Sequence, residues 1–271
     1  MNTALPLPTL FVSHGSPMYA LDAGASGPAL RAFGSGLQAR SPRAVVVMSP
    51  HWMADEADVM AASQPQTWHD FGGFPEPLYR LQYPASGEPV LAQAVYSRLK
   101  AAGIPSMLDA RRPFDHGAWV PLMHLLPEAQ VPVVQVALPD GYGPREVYAM
   151  GEALRDLRKD GVLVVGSGSM THNLREFFGG RPVLDAPTTP YVEAFSRWVE
   201  ATLQSGDREA LFNYRTLAPS AVRAHPTDEH FLPIFFTLGA AGWGEPGAST
   251  PEYLTREVMY SYLAMDSFAL A

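Results

Sequence analysis

Residues 44–52, Ala-Val-Val-Val-Met-Ser-Pro-His-Trp, give the clearest indication of the fold. Its first five residues, Ala44–Met48, are apolar with no alternation of polar and apolar positions. That pattern is typical of a strand that is covered on both faces of a sheet. A turn follows at once, so that His51 stands directly after the strand.

Three further apolar runs have the length of strands, and segments with helical periodicity lie between them. The other predicted strands are Thr9–Val12, Val131–Leu138 and Val162–Val165. The predicted helices are Pro89–Lys100, Arg145–Lys159, Pro190–Leu203 with Thr189 as its N-cap, and a helix from Thr227 to about Ala240, while Val258–Ala264 is predicted to be a late strand. This alternation predicts an α/β fold, a three-layer α/β/α sandwich around a largely parallel or mixed sheet. No segment reads as a linker, so we expect a single domain over residues 1–271.

Composition excludes several classes of function. The chain has 271 residues, and 19 Lys and Arg against 27 Asp and Glu give a net charge of −8, which argues against nucleic acid or an anionic membrane as a partner. Cysteine is absent, which excludes disulfides, thiolate metal sites and cysteine nucleophiles. No apolar run approaches the roughly 20 residues of a membrane span, and Met1–Pro6 do not resemble the start of a signal peptide, so we expect a cytoplasmic protein.

Histidines stand at the ends of predicted strands. His14 and His51 directly follow the first two strands, and His172 follows Val162–Val165 after a short polar loop. Because the carboxyl ends of strands in open α/β sheets meet at one crevice, these three imidazoles can come together. His230 differs, since it lies about one turn into the helix predicted from Thr227. There the helix dipole would favour the neutral imidazole, which is the form that binds a metal.

Two interpretations of the histidines stay open at the level of residue pattern. A metal site is one, and imidazole ligands suit Zn(II), Fe(II), Cu and Ni, so that residue type does not choose the metal. The other is that each ring simply bonds a backbone carbonyl in the core. Motifs for other functions are weak or absent. The Gly166-Ser-Gly168 turn lacks the third glycine of a dinucleotide-binding site. The sequence has no Gly-x-Ser-x-Gly motif of a serine nucleophile, no phosphate-binding loop and no His-Glu-x-x-His zinc motif.

Six short motifs are spread from near the start of the chain to its last quarter. They are His14-Gly-Ser-Pro-Met, Ser49-Pro-His51-Trp, His69-Asp-Phe-Gly-Gly-Phe-Pro75, Phe114-Asp-His116-Gly-Ala-Trp119, Met170-Thr-His172-Asn-Leu and Pro226-Thr-Asp-Glu-His230-Phe-Leu-Pro. In this order they resemble the class III extradiol ring-cleaving dioxygenases, specifically the DOPA 4,5-dioxygenase-like branch. One tetrapeptide alone is weak evidence for a family, whereas six motifs in the same order are specific for this family.

The resemblance implies a set of site residues and an activity. His14, His51 and His230 would be metal ligands, and His172 would act in acid–base chemistry or close the coordination shell as a fourth ligand. His116 would be a second catalytic residue, hydrogen bonded beside the bound ring. The implied cofactor is Fe(II) for activity, with Zn(II) possible in the resting protein. The implied reaction opens a catechol ring with O2 to a muconic-semialdehyde type product.

Two other classes of function are left open by the sequence. One is a zinc-dependent hydrolase that uses a metal-bound hydroxide, and the other is a non-catalytic binding protein on the same fold. The substrate is also open, because a DOPA-like molecule would need a partner for its carboxylate. Arg80, Arg175 and Arg223 are the candidates for that role.

Overall fold

The apolar runs of the sequence form the centre of an eight-stranded sheet in the computed structural model, which describes residues 5–271. The strands are β1 (Thr9–Ser13), β2 (Ala44–Ala54), β3 (Val59–Met60), β4 (Leu108–Asp109), β5 (Val133–Pro139), β6 (Val162–Gly168), β7 (Glu252–Thr255), β8 (Val258–Met259), β9 (Leu263–Ala264) and β10 (Ser267–Leu270). Their order in the sheet is β4-β3-β5-β2-β6-β1-β10-β7, and β8 and β9 pair separately. The central strands β5, β2, β6 and β1 are parallel, while β3 and β10 join them antiparallel.

Helices cover both faces of this sheet. They are α1 (Ser26–Gln38), α2 (Glu76–Tyr79), α3 (Pro89–Ala101), α4 (His116–Leu125), α5 (Pro144–Leu154), α6 (Leu174–Gly180), α7 (Pro190–Ser205), α8 (Arg208–Phe212), α9 (Tyr214–Leu217), α10 (Ala221–Ala224) and α11 (Pro233–Ala241). Short 3-10 helices occupy Pro17–Ala20 and Arg155–Asp160. Residues of α1 and α4 share one core, and those of α3, α5, α7 and α11 share the other. The predicted α/β fold with helices on both faces of a mixed sheet is confirmed.

The two cores explain why the central strands read as continuous apolar runs. Successive side chains of a strand point to opposite faces of the sheet. In β2, Val45 and Val47 lie in the core under α1 and α4, whereas Val46 and Met48 lie in the core under α5 and α11. All four are fully buried, so neither face leaves a position where a polar residue would be favourable.

The helix predicted from Thr227 is wrong in its first two turns. Helix α11 begins at Pro233, and residues 226–232 form turns instead. Proline is favoured at the first helical position because it has no backbone N–H to donate and its φ is already helical. The backbone carbonyl of His230 accepts a hydrogen bond of 2.8 Å from Ser169 N–H, beyond the end of β6. His230 is therefore fixed to the sheet edge by a turn and not by a helix.

The prediction of one continuous late strand over Val258–Ala264 is also wrong, because the segment forms the two short strands β8 and β9. Tyr260 and Ser261 adopt left-handed backbone angles, with φ of 53° and 62°, and reverse the chain between β8 and β9. The segment predicted as Arg145–Lys159 is divided between α5 and a 3-10 helix. Thr189 precedes α7 as predicted, but its side chain makes no capping hydrogen bond.

Two predictions about the chain as a whole are not decided by the fold. The single domain over residues 1–271 stays a prediction, although the sheet joins strands from Thr9 to Leu270. Residues 1–4, part of the segment inspected for a signal peptide, lie outside the described residues. Within residues 5–271 none of the helices has both the length and the hydropathy that crossing a membrane requires.

Candidate metal centre

Five histidines of the chain come together at the carboxyl ends of the parallel strands. They are His14 directly after β1, His51 near the end of β2, His116 at the start of α4, His172 between β6 and α6, and His230 in the turn before α11. Their ring centroids lie 3.5–5.7 Å from those of at least one other member. The structure thus brings together every histidine that the sequence analysis assigned to the site.

Three of these rings point the same nitrogen atom at one another. His51 Nε2 lies 3.2 Å from His14 Nε2 and 3.3 Å from His230 Nε2. Nitrogen ligands bound about 2.0–2.1 Å from one tetrahedral ion would lie about 3.3 Å apart. The spacings of His51 from His14 and from His230 are therefore those expected between imidazole ligands of one cation.

Hydrogen bonds at the opposite ring nitrogen orient two of these imidazoles. Ser167 Oγ donates to the carbonyl of Gly117, so it must accept the 2.9 Å hydrogen bond from His14 Nδ1–H. His230 Nδ1 lies 2.9 Å from Glu229 Oε1, a carboxylate that can only accept. Both contacts place the proton on Nδ1 and leave the Nε2 lone pair for a metal, which is how metal-binding histidines are held.

His116 is held by an acidic residue that the sequence analysis did not single out. Its backbone N–H and its Nδ1 both bond Asp70, at 2.9 Å and 3.0 Å. The His116 ring lies 3.9 Å from that of His51 between centroids, and ligand atoms of His14, His51 and His116 lie within 4.8 Å of one another. Asp70 stood in the quoted motif beside His69, but a partner 46 positions from His116 gives no local signal in a single sequence.

His172 lies on the other side of the cluster. Its ring stacks on that of His230 at 3.5 Å between centroids and 10° between planes. Its backbone N–H donates to the carbonyl of Ala224 at 2.8 Å, which fixes the loop after β6. Ligand atoms of His172, Glu229 and His230 form a second group within 4.8 Å of one another, so His172 adjoins His230 and its carboxylate partner.

Burial lowers the pKa of four imidazoles of the cluster and so favours their neutral form. It lowers the pKa of His14 and of His230 well below the ordinary value, and the neighbouring rings lower both further. Burial and the nearby His116 bring the pKa of His51 down to about 3, and burial brings that of His172 down to about 4. The helix dipole proposed for His230 plays no part, because that residue precedes α11.

Asp115, the residue before His116, ties the start of α4 to β2. It is fully buried and accepts hydrogen bonds from Ser49 Oγ at 2.8 Å, from Arg112 Nη2 at 2.9 Å and from Gln135 Nε2. It also caps the helix by accepting from Ala118 N–H. Four donors stabilise the buried carboxylate, so the helix that carries His116 has a fixed position at the strand ends.

Gly117 meets a steric requirement of the site. A Cβ at this position would lie 2.2 Å from Ser49 Oγ and 2.8 Å from His51 Cδ2, both far inside van der Waals contact. The glycine in the Asp-His-Gly motif therefore allows α4 to approach β2 closely enough for His116 and His51 to share the cluster.

A cavity of about 310 Å³ opens above the imidazoles. Its walls are predominantly apolar. They are formed by Gly15, Ser16, Pro17, Met18, His51, Phe71, Phe74, His116, His172, Leu174, Phe177, Phe178, His230, Tyr260 and Leu263. The volume lies at the lower end of the range of small-molecule sites, so the cavity suits a compact aromatic molecule in contact with the histidines.

The other three histidines bond main-chain carbonyls. His69 Nε2 donates to Leu81, His124 Nε2 to Tyr19 and His225 Nε2 to Met170, at 2.8–3.0 Å. None of the three lines the cavity. The simpler interpretation of a buried histidine is therefore correct for these positions.

The chain is similar to known proteins over most of its length. The model of the catalytic LigB subunit of aromatic ring-opening dioxygenase matches residues 8–265. The chain is 39% identical over 236 residues to the 4,5-DOPA dioxygenase extradiol of Beta vulgaris, covering 86% of this chain and 87% of that protein. It is 37% identical over 246 residues to a protein of the same name from Escherichia coli strain K12, covering 89% and 87%. The crystal structure of an uncharacterized protein from Escherichia coli K12 aligns with a TM-score of 0.78 and 30% identity, over 98% of this chain and 100% of that one. The chain therefore belongs to the LigB family, the class III extradiol ring-cleavage dioxygenases.

Proposed function

We propose that this extradiol dioxygenase opens the ring of a catechol with O2, beside its two hydroxyls, to give a muconic-semialdehyde type product. The observation that carries the proposal is the convergence of three imidazoles beside an apolar cavity. His51 Nε2 lies 3.2 Å from His14 Nε2 and 3.3 Å from His230 Nε2, and His51 and His230 line that cavity. Relatives named 4,5-DOPA dioxygenase extradiol support the reaction class.

We infer that His14, His51 and His230 hold the metal and that Fe(II) is the metal of the active enzyme. Neutral imidazoles with oriented Nε2 lone pairs fit Fe(II) as well as Zn(II), and the same nitrogens would bind zinc in a resting protein, with His172 as a fourth ligand. When bound, Fe(II) would supply the redox chemistry with O2 and would lower the pKa of a coordinated catechol hydroxyl.

Two histidines that line the cavity have roles toward the substrate in this proposal. His172, neutral and beside the cluster, accepts a proton from a catechol hydroxyl and later returns it. His116 donates its Nδ1–H to Asp70, which leaves Nε2 to accept a hydrogen bond from a substrate hydroxyl. The apolar walls exclude water and hold the ring in one orientation beside these groups.

The test is oxygen consumption by protein reconstituted with Fe(II) under anaerobic conditions. Exposure to air with a catechol should give oxygen uptake and a yellow ring-fission product, whereas the zinc-loaded protein should consume none. Protein that holds stoichiometric iron and consumes no oxygen across a broad panel of catechols would contradict the proposal. Ester or amide turnover that needs zinc and is unchanged without air would instead support the hydrolase alternative.

The broader sequence predictions remain predictions. A cytoplasmic location and a small molecule as the main partner fit the acidic, cysteine-free composition. Cell fractionation with an antibody to the chain tests the location, and size-exclusion chromatography with light scattering would establish the oligomeric state.

A further inference from the structure

We propose that the preferred substrate is a catechol with an uncharged, apolar ring substituent, and not one with the amino-acid side chain of DOPA. This inference rests on the proposed function, because it concerns the part of the substrate that lies away from the imidazoles. It is drawn from the walls of the cavity and from the positions of the charged groups around it.

The walls beyond the imidazoles are built from apolar side chains. Phe71 and Phe74 lie against each other at 5.4 Å between ring centroids, and Phe71 also meets His116 edge-on at 5.5 Å. Phe177 contacts Phe178 and Tyr260 in the same manner, at 5.2 and 5.5 Å. Among residues 5–271, no lysine, arginine, aspartate or glutamate lines this cavity.

The apolar surface continues to the mouth of the cavity. Phe178 is 64% exposed and Leu174 is 42% exposed, yet both contribute to its lining. Single exposed apolar residues are common and need no explanation, but two beside one ligand cavity extend its apolar wall outward. A substituent that projects from the ring toward solvent would therefore pass along hydrocarbon surface.

DOPA carries an ammonium and a carboxylate, and these groups are costly to bury without partners. Two of the three arginines considered for the carboxylate are occupied elsewhere. Arg80 pairs with Glu76, and Arg223 pairs with Glu176 at 2.8 Å while it covers the ring of Tyr191. Neither lines the cavity.

The remaining cations near the site are also unsuitable. Arg112 bonds Asp115 and the carbonyl of His51, and it lies between the rings of Trp52 and Trp68. Arg175 follows Leu174 on α6 but points to solvent and does not line the cavity. It is the residue to test if a carboxylate proves to be favourable.

The nearest acidic groups do not offer a site for the ammonium. Glu229 accepts the Nδ1–H of His230, and Asp70 accepts the Nδ1–H of His116. Both carboxylates are therefore engaged by imidazoles, and neither contributes to the walls of the cavity.

The first experiment compares two catechols that have the same three-carbon side chain. With the Fe(II)-loaded protein, kcat/KM for 4-propylcatechol should exceed that for L-DOPA by at least about tenfold, because only DOPA must bring unpaired charges against the apolar walls. Equal or higher kcat/KM for L-DOPA would overturn the inference and leave the proposed function intact. A loss of DOPA turnover in Arg175→Gln would then identify the missed partner.

A binding measurement separates this inference from the proposed function. Calorimetric titration of the protein without added metal should show 4-propylphenol binding at least about tenfold more tightly than tyrosine. This result, together with no oxygen uptake on any catechol, would support the apolar pocket while the proposed reaction fails. Equal or tighter binding of tyrosine would overturn the inference whatever the enzyme turns over.

A matched pair of variants tests whether the ring substituent lies along the apolar wall at the mouth of the cavity. Leu174→Arg introduces a cation at the mouth, and Leu217→Arg makes the same change at a residue of α9 that is 54% exposed and outside the cavity. Leu174→Arg should raise kcat/KM for 3-(3,4-dihydroxyphenyl)propionate relative to 4-propylcatechol by about tenfold, and Leu217→Arg should leave that ratio unchanged. An unchanged ratio in Leu174→Arg would mean that the substituent does not lie along this wall.

Discussion

Buried histidines occur in two regions of the molecule, and they differ in the contacts of their ring nitrogens and not in their burial. His14 is 1% exposed in the cluster, and His225 is 0% exposed in the core beside Phe195 and Phe231. Burial lowers the pKa of both, to about 3 for His225. In the cluster His14 donates Nδ1–H to Ser167 and turns Nε2 toward His51, whereas His225 donates Nε2–H to the carbonyl of Met170. Burial and a low pKa therefore do not identify a metal ligand, but the direction of the lone pair does.

We expect the greatest loss of bound metal from a substitution in the cluster, and none from a substitution at His225. His51→Ala removes the nitrogen that lies between those of His14 and His230, so bound iron should fall below stoichiometry and oxygen uptake should fall to the rate of the metal-free protein. His225→Gln should keep stoichiometric iron, because its Nε2–H is bonded to the carbonyl of Met170. Metal analysis after gel filtration measures both. Full iron content in His51→Ala would remove His51 from the ligand set.

The next effect separates binding from chemistry within the cluster. His172→Ala should retain iron, because three other imidazoles remain, while kcat falls by about a hundredfold or more through the loss of the proton acceptor. Circular dichroism controls for folding, since His172 lies on a loop. An unchanged kcat would exclude the acid–base role, and loss of iron together with activity would make His172 a required ligand.

The site was predictable from the sequence where regular geometry determines which residues meet. His14 and His172 follow strands of the parallel sheet, so their convergence follows from topology. His51 was predicted to follow a strand but lies near the end of β2, where the pairing with β5 shifts register between Met48 and Met53. His116 and His230 do not follow strands, and only the family resemblance placed them in the site. Asp70 and Gly117 have roles that depend on contacts between distant segments, which a single sequence does not record.

The fold was also predictable where a regular pattern of burial determines the structure. The four apolar runs became the central parallel strands, because burial on both faces leaves a continuous apolar signal. The outer strands β3, β4, β7 and β10 were missed, since two to four residues are too few to show a pattern of burial. The turn at Tyr260 and Ser261 was missed because neither residue is a usual left-handed turn former.

Two glycine-to-alanine substitutions, one at the site and one on the surface, form a matched pair. Gly117→Ala should lower the affinity for metal by about 10- to 100-fold, because the new methyl group displaces His51 and Ser49. Gly36→Ala, in α1 with open space at its Cβ, should be neutral or stabilise the fold by up to about 1 kcal/mol. Metal titration and urea unfolding distinguish the two effects. Unchanged metal affinity in Gly117→Ala would show that α4 can shift without disturbing the cluster.

The smallest effect concerns the pH dependence of stability in the metal-free protein. The pKa of His225 is about 3 when folded and has an ordinary value near 6.5 when unfolded. Between these values the unfolded chain binds the additional proton, so the stability that His225 contributes is complete above about pH 6.5 and is lost as the pH falls toward 3. The buried rings of His14, His51 and His230 act in the same direction.

His225→Gln removes one of these protonations and keeps a side-chain N–H for the carbonyl of Met170. The variant should be less stable than the parent at pH 7, but its free energy of unfolding should fall by about 2 kcal/mol less between pH 7 and pH 5. Urea unfolding of both proteins in the presence of chelator measures the difference. Parallel pH profiles would mean that His225 takes up its proton in the folded protein, and that burial beside Phe195 and Phe231 does not keep this ring neutral.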